Sequence, residues 1–242
     1  MSEKLLGKRA FITGAGSGIG KAIAKKFASL GIDVALVART EEKLEATAQL
    51  CREFGVRALV VPADLTKEGQ VVRAIEFAAG EFKGLDIVVN CAGIAQSGPL
   101  EGVTAEEFDR VFATNIRAPF LVCKCTLPYL KQSDYAEIIN IASVVAHLGY
   151  PNQSIYAASK HAILGMSKSL ANEVYKDDIR VHVIAPGGVY TEMVAQVRPD
   201  LDPNVCMLPE DIAEAAAFFV EHRTNAVVDE IRLHRANNAP FA

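Results

Sequence analysis

The sequence lacks long apolar runs and clusters of positive charge. None of its apolar stretches approaches the roughly 18 residues that a membrane-spanning helix needs. The formal net charge is −4 at pH 7, and no run of lysine and arginine offers a surface for the phosphate backbone of a nucleic acid. We therefore expect neither a membrane nor a nucleic acid as the main partner.

Cysteine and histidine are few and scattered. The five cysteines show no Cys-x-x-Cys spacing, and the five histidines show no ligand spacing with one another or with cysteine. A metal site is therefore not expected. Scattered thiols are typical of a cytoplasmic protein. The sequence also reaches the apolar run "RAFIT" at 9–13 too soon to leave room for a signal peptide, so the expected location is the cytoplasm.

What the sequence does contain is a regular alternation of short apolar runs and longer amphipathic stretches. Its 242 residues, half of them hydrophobic, fit one domain over residues 1–242. Strands that are apolar on both faces and alternate with helices indicate a parallel sheet covered on both sides, in a doubly wound α/β domain. The seven expected strands are 9–13, 33–38, 57–62, 85–90, 137–143, 180–186 and 227–233, and the expected helices are 18–30, 41–54, 67–80, 104–132, 153–176 and 209–222.

A glycine-rich segment, "TGAGSGIGKA" at 13–22, follows the first strand and opens the first helix. Its glycines permit a tight turn and a close backbone approach, and the helix N-terminus attracts a pyrophosphate. The common G-x-G-x-x-G pattern fails because Ile19 stands where its last glycine would be. The spacing that fits is T-G-x-x-x-G-x-G, formed by Thr13, Gly14, Gly18 and Gly20. This loop predicts a dinucleotide site in a Rossmann-like domain.

A second motif, "SIYAASKHAIL" at 154–164, places Tyr156 and Lys160 one helical turn apart with only small residues between them. On its own this pair is better explained as part of an ordinary helix surface. Its chemical meaning depends on the rest of the sequence.

With both motifs in order, the sequence resembles the short-chain dehydrogenase/reductase family in its compact single-domain form, from about residue 5 to 222. The shorter motifs between and after them also follow the family's order. Each is weak alone, but together they are specific. They are "ADLT" at 63–66, "NCAG" at 90–93, "TNI" with Asn115, "IAS" with Ser143, and "APGGVYT" at 185–191.

The resemblance implies interconversion of a ketone and a secondary alcohol by hydride transfer. Tyr156 would act as the acid/base, and the cations of Lys160 and the oxidised nicotinamide would lower the pKa of its phenol. Lys160 would also bind the nicotinamide ribose. Ser143 would orient the substrate oxygen and stabilise its developing charge. Asn115 would hold a water that links Lys160 to solvent.

The resemblance also assigns the contacts to a nicotinamide dinucleotide. Asp64 would meet the adenine amino group, although a role near a helix N-terminus is the alternative, with Thr66 as the better cap. Besides Tyr156 and Lys160, the implied contacts are Gly14, Ser17, Gly18, Ile19, Gly20, Arg39, Thr40, Asp64, Leu65, Asn90, Ala92, Gly93, Pro186, Gly187, Val189 and Thr191.

The end of the second strand indicates which dinucleotide is preferred. NAD-specific sites usually carry an acidic residue there, whereas this sequence has Ala38 followed by Arg39 and Thr40. Arg39 can pair with a 2′-phosphate, so NADP(H) is expected to be preferred and NAD(H) remains possible. One feature points the other way: the glycine loop itself carries no lysine or arginine.

The substrate cleft is expected near the catalytic serine and in the loop after the sixth strand. His147 has an alternative role as an ordinary surface-loop histidine. This mixture is apolar with a few polar groups and selects no particular ketone. The expected lining residues are Ser143, Val145, His147, Tyr150, Gln153, Val189 and Met193.

The family resemblance also implies assembly into a homodimer or homotetramer through the long helices near 104–132 and 153–176. The tail "DEIRLHRANNAPFA" lacks the family's frequent Asp-Gly-Gly, which puts the subunit contacts of the tail in doubt. Two alternatives to a ketone reductase stay open, a 3-oxoacyl-thioester reductase and a non-catalytic NADP(H)-sensing module. A nucleotide-sugar epimerase would need a larger substrate domain than this chain has room for.

Overall fold

The structure, a computed structural model, describes residues 5–192, 194 and 202–239. Within this part of the chain, seven strands form one parallel sheet, as predicted. Their order in the sheet is β3-β2-β1-β4-β5-β6-β7. The chain fills one half of the sheet outward from β1 and then returns to start the other half at β4. The strands are β1 Arg9–Thr13, β2 Asp33–Ala38, β3 Ala58–Pro62, β4 Ile87–Asn90, β5 Glu137–Ile141, β6 Arg180–Pro186 and β7 Glu230–Leu233.

Helices cover both faces of the sheet, because successive residues of each strand point to opposite sides. Ile12 and Leu36 pack with α1, α2 and α7 on one face, and Phe11 and Val37 pack with α3, α5 and α6 on the other. The helices are α1 Gly18–Ser29, α2 Glu41–Arg52, α3 Glu68–Phe82, α4 Ala105–Phe112, α5 Ala118–Leu130, α6 Ser154–Val174 and α7 Pro209–Glu221. Among the described residues, no helix has the length and apolar character that crossing a membrane requires.

The stretch 104–132 is not the single helix that the sequence predicted. A π-helical turn, Ala113–Arg117, separates α4 from α5. Pro119 at the start of α5 has no N–H to give to the carbonyl of residue 115, so the regular α-helical bonding is interrupted at this point. The interruption turns Asn115 inward, where its side chain is buried.

Two helix starts differ in detail from the sequence-based interpretation. Thr66 does not cap α3; instead the Asp64 carboxylate accepts hydrogen bonds from the Thr66 backbone N–H and hydroxyl, and the helix begins after Lys67. This turn lowers the pKa of Asp64, because the Thr66 hydroxyl favours the charged form. Thr40 precedes α2, a position that favours a capping residue, but its side chain makes no capping hydrogen bond.

Candidate active site

A cavity of about 420 Å³ opens at the carboxyl ends of the strands. It lies where the strand order reverses between β1 and β4, which is where open α/β sheets bind their ligands. Its walls come from the glycine loop, the ends of β2, β3 and β5, the segment after β4, the first turns of α6 and the loop after β6. Most residues of the sequence motifs therefore meet in one place.

The glycine loop packs too tightly against its surroundings to carry side chains at Gly14 and Gly20. A Cβ on Gly14, whose φ is +70°, would lie 2.9 Å from the Ala92 backbone nitrogen, and a Cβ on Gly20 would lie 2.3 Å from the Gly14 carbonyl oxygen. The loop thus lies flat against the segment after β4, with the N-terminus of α1 at the cavity. This shape and the free N–H groups of the helix fit the pyrophosphate of a dinucleotide.

The cavity is lined by fifteen of the sixteen residues that the sequence predicted as further cofactor contacts. They are Gly14, Ser17, Gly18, Ile19, Gly20, Arg39, Thr40, Asp64, Leu65, Ala92, Gly93, Pro186, Gly187, Val189 and Thr191. The other residue, Asn90, is buried beneath the cavity. Its amide donates to Asn140 Oδ1 at 2.9 Å and to Cys123 Sγ at 3.3 Å, so its side chain is engaged by protein partners.

Ser143, Tyr156 and Lys160 share one wall of the cavity. Ser143 precedes a short 3-10 turn, Val144–Ala146, and its hydroxyl donates to the Pro186 carbonyl at 3.2 Å. Tyr156 and Lys160 lie on successive turns of α6, with the Lys160 Nζ 5.7 Å from the centre of the Tyr156 ring. The ammonium donates to the Ile141 carbonyl at 2.9 Å.

Burial dominates the electrostatics of this wall. It raises the pKa of Tyr156 to about 12, although the hydrogen bond to Ser143 acts in the opposite direction. Burial also lowers the pKa of Lys160 to about 8. The lowering predicted from the cations of Lys160 and the oxidised nicotinamide concerns the complex with the cofactor and stays a prediction. In the protein alone, the loss of solvation raises the pKa of Tyr156. At neutral pH the phenol carries its proton, which is the form that can act as an acid.

Asn115 lies behind this wall and does not reach the cavity surface. Its Nδ2 donates to the Ile94 carbonyl and to Ser159 Oγ, and its Oδ1 accepts from the Ile94 N–H. A Cβ on Gly93 would lie 3.4 Å from Asn115 Oδ1 and 3.8 Å from Lys160 Nζ, so Gly93 is packed between the two side chains. Asn115 therefore ties the segment after β4 to α6 through protein partners.

Of the predicted substrate residues, Ser143 and Val189 line the cavity, and the exposed Tyr150 does not. Val145 is buried, and Gln153 precedes α6 without contributing to the cavity wall. The Nε2 atom of His147 makes a short hydrogen bond to Glu230 Oε1 on β7. None of these three residues lines the described cavity, and their assignment to the substrate cleft stays a prediction. Met193 lies outside the described residues.

Several side chains at the cavity were not identified from the sequence, among them Lys43, Cys91, Arg110, Thr114 and Glu192. Cys91 and Thr114 belong to the quoted motifs "NCAG" and "TNI", and Arg110 lies one helical turn before Thr114. The sequence could therefore have identified these three as cavity residues. Burial raises the pKa of the Cys91 thiol to about 12, so this group is neutral. Among the described residues, no group of three or more His, Cys, Asp or Glu side chains is arranged to hold a metal ion.

Comparison with known proteins agrees with this geometry. Residues 8–202 match the short chain dehydrogenase family. The chain is 32% identical over 240 residues to the 3-oxoacyl-(acyl-carrier-protein) reductase FabG of Chlamydia trachomatis, covering 96% of this chain and 97% of that protein.

Solved structures resemble the chain over nearly its whole length. One is a 3-ketoacyl-(acyl-carrier-protein) reductase from Brucella melitensis complexed with NADH, with a TM-score of 0.85, 36% identity, and coverage of 95% of this chain and 97% of that one. Another is a short chain dehydrogenase from Burkholderia cenocepacia in complex with NADP, with a TM-score of 0.87, 30% identity, and coverage of 96% and 98%.

Proposed function

Because this chain belongs to the short-chain dehydrogenase/reductase family of oxidoreductases, we propose that it uses NADP(H) to interconvert a ketone and a secondary alcohol. The observation that carries the proposal is the meeting of Ser143, Tyr156 and Lys160 with the glycine loop in one cavity. A nucleotide site and a proton donor are therefore next to each other.

The residues present fit a nicotinamide dinucleotide. The glycine loop and the N-terminus of α1 would hold its pyrophosphate, Arg39 and Thr40 its adenosine end, and the Pro186–Thr191 loop with Lys160 its nicotinamide end. When bound, the cofactor supplies the hydride for reduction or accepts it in oxidation. Everything else that the reaction needs is supplied by the protein.

In the direction of reduction, the Tyr156 phenol donates its proton to the substrate oxygen as negative charge develops there. The Ser143 hydroxyl would exchange its long bond to the Pro186 carbonyl for a bond to the same oxygen, which orients the substrate and stabilises that charge. Lys160, on the next turn of α6, stabilises the phenolate that remains. In oxidation the phenolate is the base.

The preference for NADP(H) is supported at the adenosine end of the cavity. Ala38 presents no carboxylate to repel a 2′-phosphate, and Arg39 makes no ion pair with any other described residue. Arg39 interacts with Asp64 only at longer range, and a 2′-phosphate in contact with the guanidinium would be the stronger partner, which favours the phosphorylated cofactor.

A panel of ketones and alcohols, assayed with NADPH, NADH and their oxidised forms, tests the proposal. We expect turnover of at least one ketone with a clear preference for NADPH. Coenzyme binding without turnover of any carbonyl would instead favour the NADP(H)-sensing module, in which the same fold binds cofactor only.

A second candidate, a 3-oxoacyl-thioester reductase, is favoured by the named relatives from Chlamydia trachomatis and Brucella melitensis. A 3-oxoacyl thioester in the same panel separates the two. A kcat/KM for the thioester more than about tenfold above that for simple ketones would select this candidate.

We also propose one domain over residues 1–242 that acts in the cytoplasm as a homodimer or homotetramer. Exposed aromatic side chains on α4 and α5, Phe108 and Phe120, support a subunit contact there, since 40% and 48% of their surfaces are open. All five cysteines are unpaired thiols, which fits a reducing compartment. Light scattering at micromolar concentration tests the assembly, and a monomeric mass would contradict it.

A further inference from the structure

Lys43 lies beside the position of the adenosine ribose, although it is in neither the glycine loop nor the end of β2. A Cβ on Gly16 would lie 3.2 Å from Lys43 Cβ and 3.8 Å from Ala38 Cβ. Lys43 also lines the cavity together with Arg39. The first turn of α2 therefore brings a second cation to the place where the glycine loop meets the end of β2.

The ammonium of Lys43 is engaged by a carboxylate across the glycine loop. Its Nζ lies 3.0 Å from Glu192 Oε2, in the segment that follows β6, and both residues line the cavity. The two side chains are 50% and 71% exposed, so water screens the pair and makes it weak. A more highly charged partner that is held in the cavity can therefore replace Glu192.

We propose that Lys43 is a second ligand for the 2′-phosphate of NADP(H), and that Glu192 is the counterion with which the phosphate competes. This inference rests on the proposed function. It explains how the site can favour a phosphate although its glycine loop carries no basic residue, since α2 supplies the charge instead. Glu192 then limits NADPH affinity, because the lysine has to leave one anion to bind the other.

Affinity for two fragments tests the exchange without any turnover. Adenosine 2′,5′-bisphosphate carries the 2′-phosphate and adenosine 5′-monophosphate lacks it, and both are measured by calorimetry. We expect Lys43→Met to weaken the bisphosphate about fivefold to tenfold and the monophosphate less than twofold. Glu192→Gln should tighten the bisphosphate about twofold to fivefold, and this gain should disappear in the double variant.

The control is Lys25→Met, which removes an exposed lysine of α1 and changes the net charge equally. Equal weakening of both fragments by Lys43→Met, or equal loss of the bisphosphate in the Lys25 variant, would overturn the inference and leave the proposed function standing. If wild-type protein binds neither fragment and neither coenzyme, the proposed function fails, and this inference fails with it.

A separate observation concerns His147, which the sequence assigned to the substrate cleft. His147 ends the 3-10 turn that Ser143 begins, and its backbone N–H donates to the Val144 carbonyl. Its ring bonds to Glu230 on β7, the edge strand of the sheet. The same strand supports the Pro186 loop, because the Gly187 N–H donates to the Leu233 carbonyl at 2.8 Å.

We infer that His147 and Glu230 are positioning residues that hold the turn bearing Ser143 against β7. Neither reaches the cavity, so they act through the serine and not on the substrate. Loss of either side chain should release the turn and misplace the Ser143 hydroxyl, while the cofactor contacts on the glycine loop remain in place.

Steady-state kinetics and coenzyme affinity distinguish positioning from a purely structural role. We expect Glu230→Ala and His147→Ala each to lower kcat about fivefold to twentyfold with coenzyme Kd unchanged, and the double variant to lose no more than either single one. Glu230→Gln keeps an acceptor for the histidine and should retain most of kcat. Arg232→Ala, at an exposed position on the same strand, is the control. Unchanged kcat in Glu230→Ala, even with a lower Tm, would contradict the inference.

Discussion

Charged side chains are paired differently at the two ends of the strands, which we call the amino edge and the carboxyl edge of the sheet. At the amino edge, charged side chains have charged partners: Asp86 accepts from the Arg9 backbone and guanidinium and from the Ser133 hydroxyl, and Arg57 pairs with Asp33. Burial alone would raise the pKa of Asp86, but the hydrogen bonds from Arg9 and Ser133 lower it overall. This edge is stabilised in its charged form.

At the carboxyl edge, the buried Lys160 has a single backbone carbonyl as its hydrogen-bond partner, and its pKa falls towards neutrality. Tyr156 is held in its neutral form by burial. The charged side chains at the amino edge are therefore paired within the protein and contribute to stability. At the carboxyl edge, Tyr156 and Lys160 have no charged partner in the part of the protein that the structure describes and are available to interact with a ligand.

The largest effect is expected from removing the proton donor at the carboxyl edge. Tyr156→Phe should lower kcat by about 10²–10⁴-fold, because a positioned acid/base is lost, while coenzyme affinity changes little. Tyr175→Phe, at an exposed position beyond the end of α6, is the matched control and should behave as wild type. A kcat of Tyr156→Phe within tenfold of wild type would contradict the assignment of Tyr156 as the proton donor.

At the amino edge, the expected loss is of stability. Asp86→Asn should lower the free energy of unfolding by about 3 kcal/mol, since it leaves the Arg9 guanidinium without its charged partner. Because the pKa of Asp86 is lowered in the folded protein, its contribution is complete above the unfolded value near 4 and is lost as the pH falls through the lower folded value.

Asp134→Asn is the control for this edge, because Asp134 pairs with Lys8 at the surface with 86% of its side chain exposed. Its effect on urea denaturation should be within about 0.5 kcal/mol. Equal effects of the two variants would mean that the buried pair contributes no more than a surface pair.

Arg39, at the carboxyl edge, is expected to affect the affinity for the coenzyme. Arg39→Ala should weaken NADPH by about 1.5–3 kcal/mol, or 10- to 150-fold, and NADH far less, because only NADPH carries the 2′-phosphate. Adding Ala38→Asp should reverse the preference by repelling that phosphate and accepting from the ribose 2′-hydroxyl of NADH. Dissociation constants for both coenzymes decide the matter. Equal weakening of both would leave Arg39 as a platform for adenine only.

The smallest effect is a gain in stability from removing a catalytic residue. Lys160→Met should raise the free energy of unfolding at pH 7 by about 2 kcal/mol, after the lost bond to the Ile141 carbonyl is subtracted. The folded pKa of about 8 lies below the ordinary lysine value of 10.5, so the folded wild type binds fewer protons between these values. Wild-type stability therefore rises with pH over this range and approaches that of the variant.

Urea denaturation at pH 7 and above pH 10 measures this difference, with Lys168→Met at an exposed position of α6 as the control. A lower stability of Lys160→Met at pH 7 would show that the buried ammonium is satisfied by its surroundings. The carboxyl edge would then not differ from the amino edge in the way that its geometry indicates.

Local sequence patterns were sufficient for the order of strands and helices, the parallel sheet, and the glycine loop. The patterns that indicate strands apolar on both faces and amphipathic helices involve residues close together in the sequence. The turn at Gly14 and Gly20 likewise needs residues without a side chain. The four-residue spacing of Tyr156 and Lys160 likewise places them on one helix face. These features depend on neighbours in the chain.

Only the tertiary structure decided which residues far apart in the chain form hydrogen bonds with each other. Asn90 forms a hydrogen bond with Asn140, His147 with Glu230, and Asn115 with Ile94 and Ser159, and each pair is widely separated in the sequence. The raised pKa of Tyr156 was also decided there, because the loss of solvation depends on what packs around the ring. Burial and long-range hydrogen bonds are properties of the assembled chain, and no local pattern carries them.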